Sequence, residues 1–164
     1  MQDDCGKIAV FVDVQNIYYT TRQRYQRQFD YRLFWQRINQ QGTVVTALAY
    51  AIDRADTQQQ KFQSALRHIG FDVKLKPFIQ RSDGSAKGDW DVGITIDIIE
   101  TAPHVDTVIL LSGDGDFALL LSHIKNKYQV RTQVYGVPSL TADSLAGVCD
   151  RFFPIEEGLL LCSG

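Results

Sequence analysis

The sequence predicts an α/β fold in three layers, a mainly parallel sheet with helices on both faces. Two observations predict it. Short runs rich in Val, Ile and Phe alternate with segments whose apolar residues recur at helical spacing. Aspartates gather just after those runs, at the strand ends where open parallel sheets bind ligands. The 164 residues suffice for one compact domain over 1–164, with its core over about 7–155 and a short tail over 156–164.

The elements follow in order. Lys7–Val14, KIAVFVDV, reads as a buried strand. Asn16–Gln40 is helical, in two pieces around Phe29–Tyr31. Thr43–Ile52, TVVTALAYAI, is a second buried strand. Asp56 stands three residues before Gln59, a capping-box spacing. Phe62, Ala65, Leu66 and Ile69 mark one helical face, and Gly70 stops that helix. Phe71–Ile79 is a third strand, and Arg81–Gly88, RSDGSAKG, is a loop. Asp91–Thr101 is a helix that ends before Pro103. Thr107–Ser112 is a fourth strand, and Phe117–Lys127 a helix with Phe117, Leu120, Leu121 and Ile124 on one face. Gln129–Val137 is a fifth strand, Leu140–Cys149 a short helix, and Phe152–Ile155 a last short strand. The C-terminal EEGLLLCSG reads either as a docked tail or as a homodimer contact.

Composition narrows the function. No run approaches the ~18 apolar residues of a membrane span, so no membrane partner is expected. MQDDCGK lacks the basic-then-apolar pattern of a signal peptide. Cys5, Cys149 and Cys162 form no C-x-x-C pair, which fits a reducing, cytoplasmic setting rather than a disulfide framework or zinc site. The net charge of −2 names no partner, but its distribution is informative. From Asp89 to Ile124 there is no Lys or Arg against seven acids. From Asn16 to Ile52 five arginines face only Asp30.

The acids are placed at strand ends. Asp13 and Asn16 follow the first strand, and Asp114 and Asp116, in LLSGDGDF, follow the fourth. Asp91 opens the helix before the fourth strand. If the first and fourth strands are neighbours, these groups share one rim. Two carboxylates ~4 Å apart repel by roughly 4 kcal/mol at an effective dielectric of ~20. Several together call for protons or a cation, and hard divalent cations take oxygen ligands. Strand-end aspartates also serve as helix N-caps, so each taken singly is ambiguous; the set favours a metal site. Gly113 and Gly115 allow a tight turn and close approach of backbone or ligand. Asp97, six residues after Asp91, lies about 240° round an ideal helix, which makes it a supporting or solvent-facing group. Asp106 reads as a turn residue, and His68, His104 and His123 as surface residues.

A nucleic acid has places to lie. Arg22, Arg24 and Arg27 are interleaved with Tyr18, Tyr19 and Tyr25, so arginines could meet phosphates and rings could stack unpaired bases. The competing reading is a solvated helix face. The loop from Arg81 to Lys87 could form a second clamp, with Lys87 positioned to stabilise charge developing on phosphate.

Three segments, FVDVQN, KGDWDVGITIDII and LLSGDGDFALLL, resemble the NYN branch of the PIN-like nucleases, in its LabA-like group. The resemblance covers about Ile8–Ile155. It falls on Asp13 and Asn16, on Lys87, Gly88, Asp91 and Asp97, and on Ser112, Gly113, Asp114 and Asp116. One residue more than usual separates Lys87 from Asp91, so Asp89 is the alternative there; the six-residue spacing to Asp97 selects Asp91. The resemblance implies a Rossmann-like (PIN-like) sheet ordered 3-2-1-4-5 and Mg²⁺- or Mn²⁺-dependent hydrolysis of RNA phosphodiesters. In that reading Asp13, Asp91, Asp114 and Asp116 bind metal, Asn16 and Ser112 orient a ligand or phosphate, and the substrate is single-stranded RNA. The alternative is an RNA-binding regulatory module that cleaves slowly or not at all. An aspartyl-phosphate phosphatase of the haloacid dehalogenase type would need an acid where Gln15 stands. A receiver-like phospho-acceptor would need an Asp after the third strand and a Lys after the fifth, and neither is well placed.

Overall fold

The computed structural model describes residues 5–53, 56–77, 79–80, 86–87 and 90–161. Six strands form one all-parallel sheet: β1 (Lys7–Asp13), β2 (Thr43–Asp53), β3 (Asp72–Pro77), β4 (Thr107–Leu111), β5 (Arg131–Gly136) and β6 (Arg151–Pro154). Their spatial order is β3-β2-β1-β4-β5-β6, the expected 3-2-1-4-5 with the short last strand added beside β5.

Each strand feeds both faces. Ile8, Val10 and Val12 of β1 enter one core, with Ile17 of α1 (Val14–Tyr25), Phe34 and Ile38 of α2 (Tyr31–Gln41) and Leu66 of α3 (Thr57–Ile69). Ala9 and Phe11 enter the other, with Ile94 and Ile98 of α4 (Asp91–Thr101), Leu120 and Ile124 of α5 (Ala118–Tyr128) and Leu145 of α6 (Asp143–Val148). Residues Ile8 to Val12 are all 0% exposed. Burial on both faces is why the strand is an unbroken apolar run rather than an alternating one.

Aspartates start the first three helices. Asp13, Asp30 and Asp56 accept from the backbone N–H of Asn16, Leu33 and Gln58 at 3.3, 3.0 and 2.9 Å. α1 ends where Gln26 turns left-handed (φ 55°), which separates the two expected helical pieces. The C-terminal tail fills that break. Leu159 and Leu160 are buried, Asp30 N donates to Leu159 O at 2.7 Å, and Leu161 N donates to Gln28 O at 2.8 Å. Of the two readings of EEGLLLCSG, docking describes the tail through Leu161.

Asp106 is the turn residue it was expected to be. Its carboxylate accepts from Lys7 N at 2.8 Å and its carbonyl from Arg131 N at 3.0 Å, tying together the starts of β1, β4 and β5. Gly6 (φ +65°) passes so close that a Cβ there would lie 2.2 Å from the Asp106 carboxylate.

Two boundaries differ from expectation. Ala86–Lys87 is not loop but pairs antiparallel with Ile79–Gln80, so a two-residue ribbon satisfies backbone groups inside the segment read as RSDGSAKG. The last helix begins only at Asp143, after a 3₁₀ turn over Pro138–Leu140. Thr141 and Ala142 stay extended, and Ala142 N donates to Gly113 O at 3.0 Å.

Asp150 sits between β5 and α5. It accepts from Thr132 N at 2.8 Å and pairs with Lys125 at 3.2 Å. Burial pushes its carboxyl upward, but the bonds from Thr132 and the charge of Lys125 outweigh this and hold it below the usual range. A carboxyl depressed in the folded state stabilises above its unfolded pKa of about 4, and that contribution is lost as pH falls through the lower folded value. Asp150→Asn is therefore expected to cost about 1 kcal/mol at pH 7 in urea unfolding, with the gap shrinking as pH falls below about 4.

Candidate metal centre

β1 and β4 are neighbours with helices leaving to opposite faces, so the residues after them meet where the strand order reverses. Val12 pairs with Leu111, which brings Asp13 and Ser112 level with one another. Ser112, fully buried, donates through Oγ to Asp13 Oδ2 at 3.4 Å and accepts from Asp114 N at 3.2 Å. Asn16 Oδ1 accepts from Gly113 N at 2.9 Å. Asp116 N donates to Asp114 Oδ1 at 2.9 Å and begins a 3₁₀ turn that leads into α5. The first turn of α1 and the buried serine thus hold the SGDGD loop from both sides.

The two loop glycines answer to packing, not to backbone handedness. Among the described residues, Gly6 and Gly70 are the glycines with positive φ. A Cβ on Gly113 would lie 2.6 Å from the Leu140 carbonyl, and one on Gly115 2.9 Å from Ala142 Cβ. The expected tight turn is thus a close approach of the segment before α6.

Asp91 comes to the loop from the first turn of α4. The start of that helix is pinned to β2 by Trp90, whose indole N–H donates to Ala51 O at 2.9 Å. Asp91, Asp114 and Asp116 each offer a carboxylate oxygen, and these lie within 4.8 Å of one another. At that separation each pair repels by about 3 kcal/mol at an effective dielectric of ~20. Three oxygen donors at the C-terminal rim of a parallel sheet suit a hard divalent cation.

The remaining sequence candidates fall as follows. Asp13 stands outside this group of three and is engaged by Asn16 and Ser112. Asp97 turns away from the group: its Oδ2 accepts from Tyr50 Oη and from Lys74 Nζ, both at 2.7 Å. Arg22 and Arg24 are exposed on α1. Lys87 lies on the antiparallel ribbon, and Arg81 and Asp89 lie outside the described residues.

Tyr50 and Lys74 are the site-supporting residues that sequence reading missed. They sit opposite each other in the β2–β3 register, so Asp97 closes on both at once and fastens α4 to the sheet. Burial first, then the hydrogen bond and charge of Asp97, push the Tyr50 phenol far above its ordinary value, so it remains a donor. Asp97 thus ties to the sheet the helix that carries Asp91, six residues before it. Tyr50→Phe should cost about 1 kcal/mol in urea unfolding, and Asp97→Ala about 1–2 kcal/mol, because it leaves the buried Tyr50 hydroxyl without its acceptor while the exposed Lys74 ammonium returns to water.

Comparison with known proteins agrees with this architecture. The NYN domain family model matches residues 7–156. LabA, the low amplitude and bright protein of Synechococcus elongatus, is 28% identical over 160 residues, spanning 93% of this chain and 85% of LabA. The crystal structure of VPA0982, a protein of unknown function from Vibrio parahaemolyticus, superposes with a TM-score of 0.91 at 55% identity, covering 98% of this chain and all of that one. With a family model spanning nearly its whole length, the chain belongs to the NYN domain family.

Proposed function

We propose that this NYN domain is a metal-dependent ribonuclease that hydrolyses phosphodiester bonds of single-stranded RNA at its acidic rim. One observation carries the reading: three carboxylates from α4 and the loop after β4 present oxygens within 4.8 Å of one another. Such a gathering is unfavourable without positive charge between the groups, and its all-oxygen donor set fits Mg²⁺ or Mn²⁺. Asp91, Asp114 and Asp116 would hold the ion, with Asp13 closing the rim from β1. When bound, such an ion polarises a phosphoryl oxygen and lowers the pKa of a coordinated water.

The chain's own residues supply position. Ser112 and Asn16 fix the loop that carries Asp114 and Asp116, through the bonds to Asp13, Asp114 N and Gly113 N. Asp97 holds α4, and so Asp91, against β2 and β3. In this reading Arg22 and Arg24 contact RNA phosphates from α1, and Arg81 and Lys87 contact them as well. Arg24 is already steadied over the Tyr25 ring at 5.1 Å.

The test is cleavage of a fluorescent single-stranded RNA under Mg²⁺ and Mn²⁺ titration, wild type against Asp114→Asn. Asn keeps the shape and removes a charge. The expected result is metal-dependent cleavage that falls about 100-fold or more in the variant. Metal binding without cleavage would favour the RNA-binding regulatory module instead, and no metal binding by either protein would return these aspartates to turn and capping duty.

A further inference from the structure

A groove of about 950 Å³ runs between α1 and α3 over the end of β2. Val14 and Gln15, the two residues after Asp13, are among the residues that line it, which puts part of the groove beside the end of β1. Its floor is apolar and aromatic, built from Ile17, Phe29, Tyr31, Ile52 and Phe62. Asp13 is close enough for its charge, after the larger effect of burial, to push the Tyr31 phenol upward.

The rim differs in kind from the floor. Tyr18 and Tyr19 are 41% and 53% exposed and meet edge to face at 5.5 Å. The Arg22 guanidinium lies 5.7 Å from the centre of the Tyr18 ring and donates to its hydroxyl at 3.3 Å, which orders it in advance. Lys61 lines the groove from α3, and Gln15 and Gln59 bring side-chain amides. No carboxylate lines the groove among the described residues. An aromatic shelf, amides that can pair with a base edge, and two cations form the constellation that recognises an unpaired nucleotide. A solvated helix face would need neither the concavity nor the exposed ring pair.

We infer that this groove binds the unpaired nucleobase next to the scissile phosphate, stacking it on the Tyr19 ring with the Tyr18 ring against its edge, while Arg22 and Lys61 hold the adjoining phosphate. The inference rests on the nuclease reading for its substrate, and it makes the groove the element that selects single strands. A base inside a duplex is stacked and paired and cannot reach this shelf.

The experiment is fluorescence anisotropy with a labelled ten-nucleotide oligouridylate and with the same strand annealed to oligoadenylate. It is run in EDTA and in Mg²⁺, on wild type, Tyr19→Ala and Lys61→Ala. Both altered side chains are exposed, so circular dichroism and urea midpoints should be unchanged. Expected are single-strand binding that persists in EDTA, a loss of about 10-fold or more for Tyr19→Ala, and at least about 10-fold weaker duplex binding. Lys61→Ala should lower the salt slope by about one phosphate contact. Variants that bind like wild type, equal duplex binding, or no binding by wild type would each overturn the inference. The nuclease reading fails separately. Binding that depends on Tyr19 without any metal-dependent cleavage leaves the groove standing and removes the nuclease. Cleavage whose KM ignores Tyr19→Ala does the reverse.

Discussion

The pairing of β1 with β4 is the constraint on which the rest depends. β1 is buried on both faces and flanked by parallel partners, so its register is set by packing rather than by turns. That register brings Asp13 and Ser112 level, and the chain then leaves β1 to one face and β4 to the other. The gap between the departing helices is where a ligand can reach the sheet. A slip of one residue would turn Phe11 into the wrong core and carry Asp13 away from Ser112 at once.

What the rim adds to this frame is enforced crowding of like charge. The closeness of Asp91, Asp114 and Asp116 is held largely by bonds and packing from residues outside the three. Asn16 and Ser112 anchor the loop, Leu140 to Ala142 press on its glycines, and Asp97 with Tyr50 and Lys74 anchors the helix. The groove between α1 and α3 offers the opposite character, rings and cations without a described carboxylate.

The fold was legible because its strands are buried on both faces. KIAVFVDV and TVILLS carry short apolar runs rich in Val, Ile and Leu, bounded by polar residues and shorter than a typical buried helix. The rim was legible because its acids lie at strand ends in short local patterns. Non-local contacts were not. Nothing near Gly113 announces that Leu140 will pack on it, or near Asp97 that Tyr50 and Lys74 will meet it, since each partner comes from a different strand or turn. The late start of α6 has the same origin, a hydrogen bond from Ala142 back to Gly113. The ribbon at Ile79–Gln80 and Ala86–Lys87 escaped because two residues carry no period. The groove was read only as a row of arginines and tyrosines on one helix, because its second wall is α3.

The most direct measurement of the central claim is anomalous diffraction from crystals of the protein soaked in Mn²⁺. The account predicts a manganese peak in contact with carboxylate oxygens of Asp91, Asp114 and Asp116. Full soaking with no peak at this rim, or with manganese bound only elsewhere on the surface, would contradict it.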